Sequence, residues 1–186
     1  MAYDPAIHHR HSIRLPDYDY RQNGAYFVTI CINQRAELLG EIVESEMHLN
    51  DAGKMLAAHW EELPRRFPQV ELDEYVIMPN HLHGIIFIRT FANSGESLKT
   101  RPPRLGDIVG TYKSRTTGAY IAGVRDYNWS PFPGKLWQRN YYEHIIRSDI
   151  TLNKIREYVI NNPAQWAFDK ENPAALPLPH TNIGKL

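Results

Sequence analysis

The sequence contains a single cysteine, no excess of either charge and no long apolar run. Because Cys31 is the only cysteine among 186 residues, an intrachain disulfide is impossible, and its apolar neighbours favour burial. Lysine plus arginine and aspartate plus glutamate both number 21, so a nucleic-acid surface would have to be a local patch. No apolar stretch approaches the roughly 20 residues that span a bilayer, and the first residues lack the apolar core of a signal peptide. These absences predict a cytoplasmic protein with no membrane partner.

Strand and helix patterns alternate along the chain in the order β-α-β-β-α-β-α. With 42% hydrophobic residues the chain can bury one sizeable core, so we expect a single domain. Apolar spacing and turn residues predict strands at 25–33, 70–80, 81–90 and 135–146, helices at 50–68, 105–126 and 148–163, and a loop at 92–104. Asn50 is the expected cap of the first helix, and Pro64 is expected to end it. The order predicts an α+β fold: a ferredoxin-like or RRM-like four-stranded antiparallel sheet with helices on one face and an added C-terminal helix.

Two histidines stand one residue apart in the segment "YVIMPNHLHGIIFI", residues 75–88. Because a strand alternates its side chains, His81 and His83 point to one face and Leu82 points to the other. This is the spacing of a two-histidine metal clamp, and equally of two ordinary half-buried histidines. The tripeptide alone leaves both interpretations open.

The final helix, "SDITLNKIREYVINNP", places Tyr158 and Asn162 one turn apart. Tyr158 could present its hydroxyl to a cleft, or be a boundary tyrosine in contact with water. Asn162 could offer its amide oxygen to a metal, or cap the helix before Pro163. With the two histidines, the amide would form a three-ligand site that leaves positions open for water and a phosphate oxygen. A tyrosine beside such a metal could attack phosphorus, and Tyr142 is the rival nucleophile.

Three segments in a fixed order resemble a known family: "VIMPNHLHGIIFI", "LWQRNYYEHIIR" and "IREYVINNPAQW". Together with the opening "HHRHSIRLPDYDY", they resemble the REP-associated tyrosine transposases of the single-tyrosine HUH nuclease superfamily, over residues 8–166. The resemblance implies that His81 and His83 bind a divalent metal and that Asn162 completes the metal site. It also implies that Tyr158, on the late helix, is the catalytic nucleophile.

The resemblance further implies cleavage and rejoining of single-stranded DNA, with Tyr158 linked to a 5′ phosphate and a 3′ hydroxyl released. The family's metal is Mg²⁺ or Mn²⁺, whereas imidazole ligands alone would also suit zinc. The expected substrate is hairpin-forming palindromic DNA with single-stranded flanks, bound by a monomer or a homodimer in the cytoplasm at the nucleoid. The alternative function is a noncatalytic DNA-hairpin-binding regulator with the same fold.

DNA contacts are expected from an N-terminal arm at 1–24 and from the transposase domain at 25–166, ahead of a Pro-rich tail at 167–186. The candidates combine cations, amides and a stacking ring, as single-strand binders do: His9, Arg10, Arg14, Tyr18, Lys113, Gln138, Arg139 and Lys154. The competing interpretations are a mobile polar terminus for the arm and ordinary solvated cations for the two lysines. Trp137, Tyr141 and Tyr142 are expected to pack in a strand.

Overall fold

The computed structural model describes residues 18–89 and 102–177. The predicted DNA contacts His9, Arg10 and Arg14, and most of the predicted loop at 92–104, lie outside these ranges. The described elements, in chain order, are β1 (Gly24–Cys31), β2 (Gly40–Val43), β3 (Glu46–Leu49), α1 (Asp51–Glu61), α2 (Leu63–Arg66), β4 (Val70–Met78), β5 (His81–Ile88), α3 (Leu105–Tyr127), β6 (Tyr142–Ile146) and α4 (Asp149–Asn161). No helix among the described residues has both the length and the apolarity to cross a membrane.

The main sheet has four antiparallel strands in the order β4-β5-β1-β6. With β2 and β3 set aside, this is the strand order of a ferredoxin-like sheet, so the predicted fold class is confirmed. β4 and β5 form a hairpin through Pro79 and Asn80, as predicted. β1 lies beside β5, and its register places Thr29 opposite His83 and Cys31 opposite His81.

The two faces of the sheet carry different helices. α1 and α3 cover one face, where Tyr26, Leu82 and Ile86 are buried together with Trp60 and Tyr112. Helix α4 packs on the other face, where Leu152 and Val159 are buried in one cluster with strand residues that include Ala25, Phe27 and Ile85. The predicted helix arrangement, with an added C-terminal helix on the second face, is therefore confirmed.

The predicted helix at 50–68 is divided into α1 and the short α2. Its cap is confirmed, because Asn50 Oδ1 accepts a hydrogen bond from Gly53 N at 2.9 Å. The expectation that Pro64 ends the helix is wrong in detail. Helix α1 ends at Glu61, and Pro64 lies in the first turn of α2, where a missing N–H has no cost.

The predicted strand at 135–146 is a strand only at Tyr142–Ile146. The preceding segment is irregular, although Leu136 and Trp137 are buried, and Trp137 Nε1 donates to Thr116 Oγ1 at 3.0 Å. The segment is buried like a strand but lacks a continuous ladder of backbone hydrogen bonds, which explains why its apolar pattern resembles that of a strand.

The β2–β3 hairpin is absent from the sequence-based prediction. Its turn residues Glu44 and Ser45 both have positive φ, a role in which Gly or Asn would have signalled a turn.

Candidate active site

His81 and His83 lie at the start of β5, on the face that α4 covers. Both are buried, and their Nε2 atoms are 3.0 Å apart. Leu82 is buried on the opposite face, so the side-chain alternation predicted for this tripeptide is confirmed. Two imidazoles with facing nitrogens require either a proton or a cation between them.

Asn80 fixes the tautomer of His81. Its Nδ2 donates to the carbonyls of Arg35 at 3.0 Å and Glu171 at 2.8 Å, so its Oδ1 is the atom that lies 2.8 Å from His81 Nδ1. Because an amide oxygen only accepts, His81 Nδ1 carries the proton and Nε2 presents a lone pair toward His83. Metal-binding histidines are commonly oriented in this way, by a hydrogen bond from the ring nitrogen that does not bind the metal.

His83 is held by the neighbouring strand. Its Nδ1 lies 2.8 Å from Thr29 Oγ1, and its ring stacks on Phe27 with centroids 5.3 Å apart. Burial lowers the pKa of both histidines, and the proximity of His83 lowers the pKa of His81 further. Both imidazoles are therefore neutral near pH 7, which is the form that binds a metal.

Tyr158 Oη lies 3.2 Å from His83 Nε2, in contact with the two-histidine cluster. The tyrosine is 37% exposed, so it is partly accessible to solvent. Burial raises its pKa, and the negative charge of Asp169 raises it further. The isolated phenol is thus a poor nucleophile near neutrality, and a cation beside it would be needed to favour phenolate.

Helix α4, which carries Tyr158, is anchored at both its start and its middle. Ser148 Oγ accepts a hydrogen bond from Thr151 N at 3.2 Å and caps the helix. Arg156 Nε donates to Asp73 Oδ1 at 2.8 Å and Nη2 donates to Oδ2, which ties α4 to β4. Asp73 lies within a register shift of β4 between Leu72 and Tyr75. Such an irregularity can redirect a side chain next to a functional site.

Asn162 is buried and reaches the same cluster. Residues before proline are usually extended, yet Asn162 is helical with φ −60° and ψ −40° and leads directly into a 3-10 segment, Pro163–Phe168. Its Nδ2 donates to Asp169 Oδ2 at 3.1 Å. Its buried Oδ1 has no hydrogen-bond partner among the described residues. Asn162 is the C-cap residue of α4, and its buried amide oxygen could also serve as a ligand for a cation.

Asp169 is a member of the site that the sequence does not predict. Its Oδ2 is 4.0 Å from His83 Nε2, and its Oδ1 accepts from Glu171 N at 2.7 Å. One ligand atom each from His81, His83 and Asp169 lie within 4.8 Å of one another. Burial would raise the pKa of the Asp169 carboxyl, but His83 and the hydrogen bonds from Glu171 and Asn162 hold it below its usual value. An ionised carboxylate beside two neutral imidazoles forms a group that could bind a divalent metal.

Two residues predicted to contact DNA, Tyr18 and Lys113, also have partners within the protein, and their DNA contacts stay predictions. Tyr18 packs edge-to-face on Tyr20 with centroids 4.9 Å apart, and this cluster lies on the α1/α3 face. Lys113 Nζ donates to the carbonyls of Gln138 at 2.9 Å and Asn140 at 3.0 Å, and burial lowers its pKa to about 8. Lys113 therefore fixes the irregular segment before β6.

The remaining predicted contacts within the described residues differ in exposure. Lys154 is exposed on α4, one turn before Tyr158, and Arg139 is exposed in the irregular segment. Gln138 is half-buried, and its backbone N donates to Cys31 O at 2.9 Å. The packing expected of Trp137 is observed, whereas Tyr142 is 49% exposed.

Comparisons with known proteins agree with this architecture. No protein-family model matches the chain. An uncharacterised protein of Haemophilus influenzae (strain ATCC 51907 / DSM 11121 / KW20 / Rd) is 44% identical over 177 residues, which cover 90% of this chain and 96% of that protein. The structure of a REP-associated tyrosine transposase bound to a REP hairpin has a TM-score of 0.55 and 20% identity, covering 83% of this chain and 74% of that chain. At this identity the likeness shows a shared fold.

Proposed function

We propose that this chain, which belongs to one family with the Haemophilus influenzae protein and has the fold of a REP-associated tyrosine transposase, is a metal-dependent DNA strand transferase. It would cleave single-stranded DNA next to a hairpin and form a 5′-phosphotyrosine intermediate. Tyr158 would be the nucleophile, and Mg²⁺ or Mn²⁺ the metal. The protein would act as a monomer or a homodimer.

The observation that carries this proposal is the contact between Tyr158 and the histidine cluster. A phenol oxygen 3.2 Å from a buried imidazole, with a carboxylate and an orphaned amide oxygen beside it, has the composition of a nucleophile at a metal site. A hydrophobic core has no need of four converging polar groups, because each is expensive to bury. Binding of DNA alone does not require them either.

The residues present fit a divalent cation. His81, His83 and Asp169 would hold it, and the orphaned Oδ1 of Asn162 would complete the set. When bound, the cation would polarise a nonbridging phosphate oxygen and stabilise the phenolate form of Tyr158.

Tyr158 would carry out the covalent step. Its Oη forms a bond to phosphorus while the bond from that phosphorus to the 3′ oxygen breaks. The phenol loses its proton, and the departing oxygen gains one and becomes a 3′ hydroxyl. One phosphate ester replaces another, so the strand can be rejoined by the reverse step without an external energy source.

Single-stranded DNA beside a hairpin suits the position of the tyrosine. Tyr158 is partly exposed on the sheet face and can reach a splayed strand, whereas a duplex would first have to be opened at a cost of a few kcal/mol. The similar structure was solved with a REP hairpin. We therefore expect cleavage of hairpin oligonucleotides with single-stranded flanks, no cleavage of the fully paired duplex, and weaker binding as salt increases.

The decisive experiment compares Tyr158→Phe with Tyr142→Phe. The parent protein with Mg²⁺ or Mn²⁺ and a flanked hairpin should give a denaturation-resistant protein–DNA band. Tyr158→Phe should fold, bind the hairpin and give no band, because it removes one oxygen and little packing. Tyr142→Phe should keep the band.

The other outcomes are equally informative. A band that persists in Tyr158→Phe would mean that another tyrosine is the nucleophile. A parent that binds the hairpin but forms no adduct with either metal and any flank would support the noncatalytic regulator instead.

A further inference from the structure

Helix α4 leaves part of its sheet face open. It buries Ile146, at the end of the edge strand β6. Nearer the start of that strand, Tyr142 is 49% exposed and His144 is also exposed. Two aromatic rings on an edge strand are therefore available to a ligand beside the helix that carries Tyr158.

The strand register places these rings on the same face as the candidate active site. Tyr142 pairs with Thr29, which pairs with His83, so the three side chains form one row across the sheet. His144 pairs with Phe27 in the next row. The Phe27 ring contacts both tyrosines, with its centroid 6.4 Å from Tyr142 and 6.0 Å from Tyr158. The exposed rings thus continue the surface that leads to the nucleophile.

Positive charge borders the open face. Lys170 Nζ lies 5.2 Å from the centroid of the Tyr142 ring, and Arg147 is exposed just after β6. The carboxylate of Glu171 is 4.0 Å from Lys170, but it is paired with Arg35 at 3.0 Å, and the Lys170 side chain is 67% exposed. A cation poised over an exposed ring matches a ligand that combines a phosphate with a flat base.

We propose that Tyr142 and His144 form a stacking platform for the single-stranded DNA that flanks the hairpin, with Lys170 contacting its phosphate. Tyr142 is then a positioning residue that guides the strand toward Tyr158. Unpaired bases expose the faces that stack on aromatic rings, whereas bases within a duplex stack on one another. This inference rests on the proposed function for the identity of the ligand, but its test does not depend on cleavage.

The test measures binding of two probes: a hairpin with randomised single-stranded flanks and the same hairpin without flanks. Tyr142→Ala should weaken binding of the flanked probe about 5- to 100-fold, the usual effect of losing one base–aromatic stack. It should leave the flankless hairpin unchanged. Tyr142→Phe keeps the ring and should bind both probes like the parent.

The matched control is Tyr127→Ala, which removes a tyrosine that is 74% exposed at the end of α3. It should bind both probes normally.

A second readout uses 2-aminopurine placed at each flank position in turn, because its fluorescence is quenched on stacking. At least one position should be quenched by the parent and by Tyr142→Phe but not by Tyr142→Ala. Lys170→Ala should reduce the slope of the logarithm of the binding constant against the logarithm of the salt concentration by about one, because one phosphate contact is lost.

Several results would overturn the platform. One is a Tyr142→Ala protein that binds the flanked hairpin as tightly as the parent, and another is an equal loss of affinity for both probes. If Tyr142→Ala converts a dimer to a monomer, a second copy of the chain occupies this face instead. Failure of the proposed function gives a different result. A parent that forms no covalent adduct refutes the enzyme, whereas the flank-dependent loss of binding in Tyr142→Ala still tests the stacking platform.

Discussion

The two faces of the sheet are built on the same strands and have opposite chemistry. On the α1/α3 face, Trp60 and Tyr112 are buried with aliphatic strand residues, and full burial of one such side chain stabilises the fold by about 1.5–3 kcal/mol. On the α4 face, His81, His83 and Asp169 occupy buried positions beside a smaller apolar cluster. Buried polar groups of this kind are costly unless they are satisfied. The fold therefore gains most of its stability on one face and presents reactive groups on the other.

One glycine illustrates how closely the faces are coupled. Gly84 lies between His83 and Ile85, and a Cβ at this position would overlap the ring of Trp60. The α1 helix can approach the sheet because this side chain is absent, and the adjacent histidine is held on the far side of the same strand. The two faces therefore share β5, with close packing on one side of the strand and candidate ligands on the other.

The largest expected effect comes from the ligands. His83→Ala, and separately His81→Ala, should reduce covalent adduct formation at least about 100-fold, because loss of a ligand removes the charge that stabilises the reacting phosphate. The fold and most of the DNA affinity should remain, since phosphate and stacking contacts lie elsewhere. Adduct gels and circular dichroism measure the two properties, and chelation should mimic the mutation.

The matched control for this experiment is His48→Ala, which changes an exposed histidine of β3. It should form the adduct at the parental rate. Full activity in His83→Ala would remove the metal site from the mechanism.

A substitution on the α1/α3 face should change the free energy of unfolding and leave metal binding unchanged. Trp60→Ala is expected to lower the free energy of unfolding by about 3–5 kcal/mol, because it leaves a cavity beneath α1. Metal bound per folded molecule should be unchanged. Urea denaturation and metal titration test the two statements. Trp60→Phe should cost much less, since the buried Trp60 Nε1 has no hydrogen-bond partner within residues 18–89 and 102–177. A loss below about 1 kcal/mol in Trp60→Ala would mean that the two faces do not divide their roles in this way.

A smaller effect is expected from Asp169, on the polar face. Asp169→Asn retains the size of the side chain but removes its charge, so we expect metal affinity to fall about 10- to 100-fold while the fold persists. Isothermal titration with Mn²⁺ measures this change. The matched variant is Asp126→Asn, which alters an exposed carboxylate at the end of α3 and should bind Mn²⁺ normally. Unchanged affinity in Asp169→Asn would leave Asn162 as the third ligand.

The spacing of the candidate site residues within a single strand or helix can be predicted from the sequence. Strand alternation predicts that His81 and His83 share a face, and helical spacing places Tyr158 and Asn162 one turn apart. Both are properties of a single element, so a few residues suffice to infer them. The order of elements likewise predicts the sheet, because short connections and antiparallel pairing leave few alternatives.

The parts that escape sequence-based prediction depend on contacts between distant segments. Asp169 enters the site only because the Pro163–Phe168 segment turns the chain back toward β5, and a lone aspartate in a Pro-rich stretch carries no such signal. Asn80 marks a turn in the sequence, but its role in orienting His81 depends on the carbonyls of Arg35 and Glu171. Tertiary hydrogen bonds of this kind have no periodic signature.

The smallest expected effect is a pH dependence of stability in the metal-free protein. Burial lowers the pKa of His81 and His83 below the usual value near 6.5, so the folded state stays neutral where the unfolded state takes up protons. The unfolded state therefore binds more protons below about pH 6.5, and stability must fall as the pH falls. We expect the free energy of unfolding in EDTA to decrease steadily as the pH is lowered through the unfolded-state pKa of histidine, near 6.5.

The same measurement separates the two faces. His59 on α1 also has a pKa lowered by burial, so it contributes to the slope from the other side of the molecule. Replacing His81 and His83 together by Gln should remove most of the pH dependence, whereas His59→Gln should remove only a part. Urea titrations across this pH range provide the test. The double variant could keep the full pH dependence of the free energy of unfolding while His59→Gln abolishes it. In that case His59 causes the loss of stability in acid, and the neutral imidazoles of the candidate site do not.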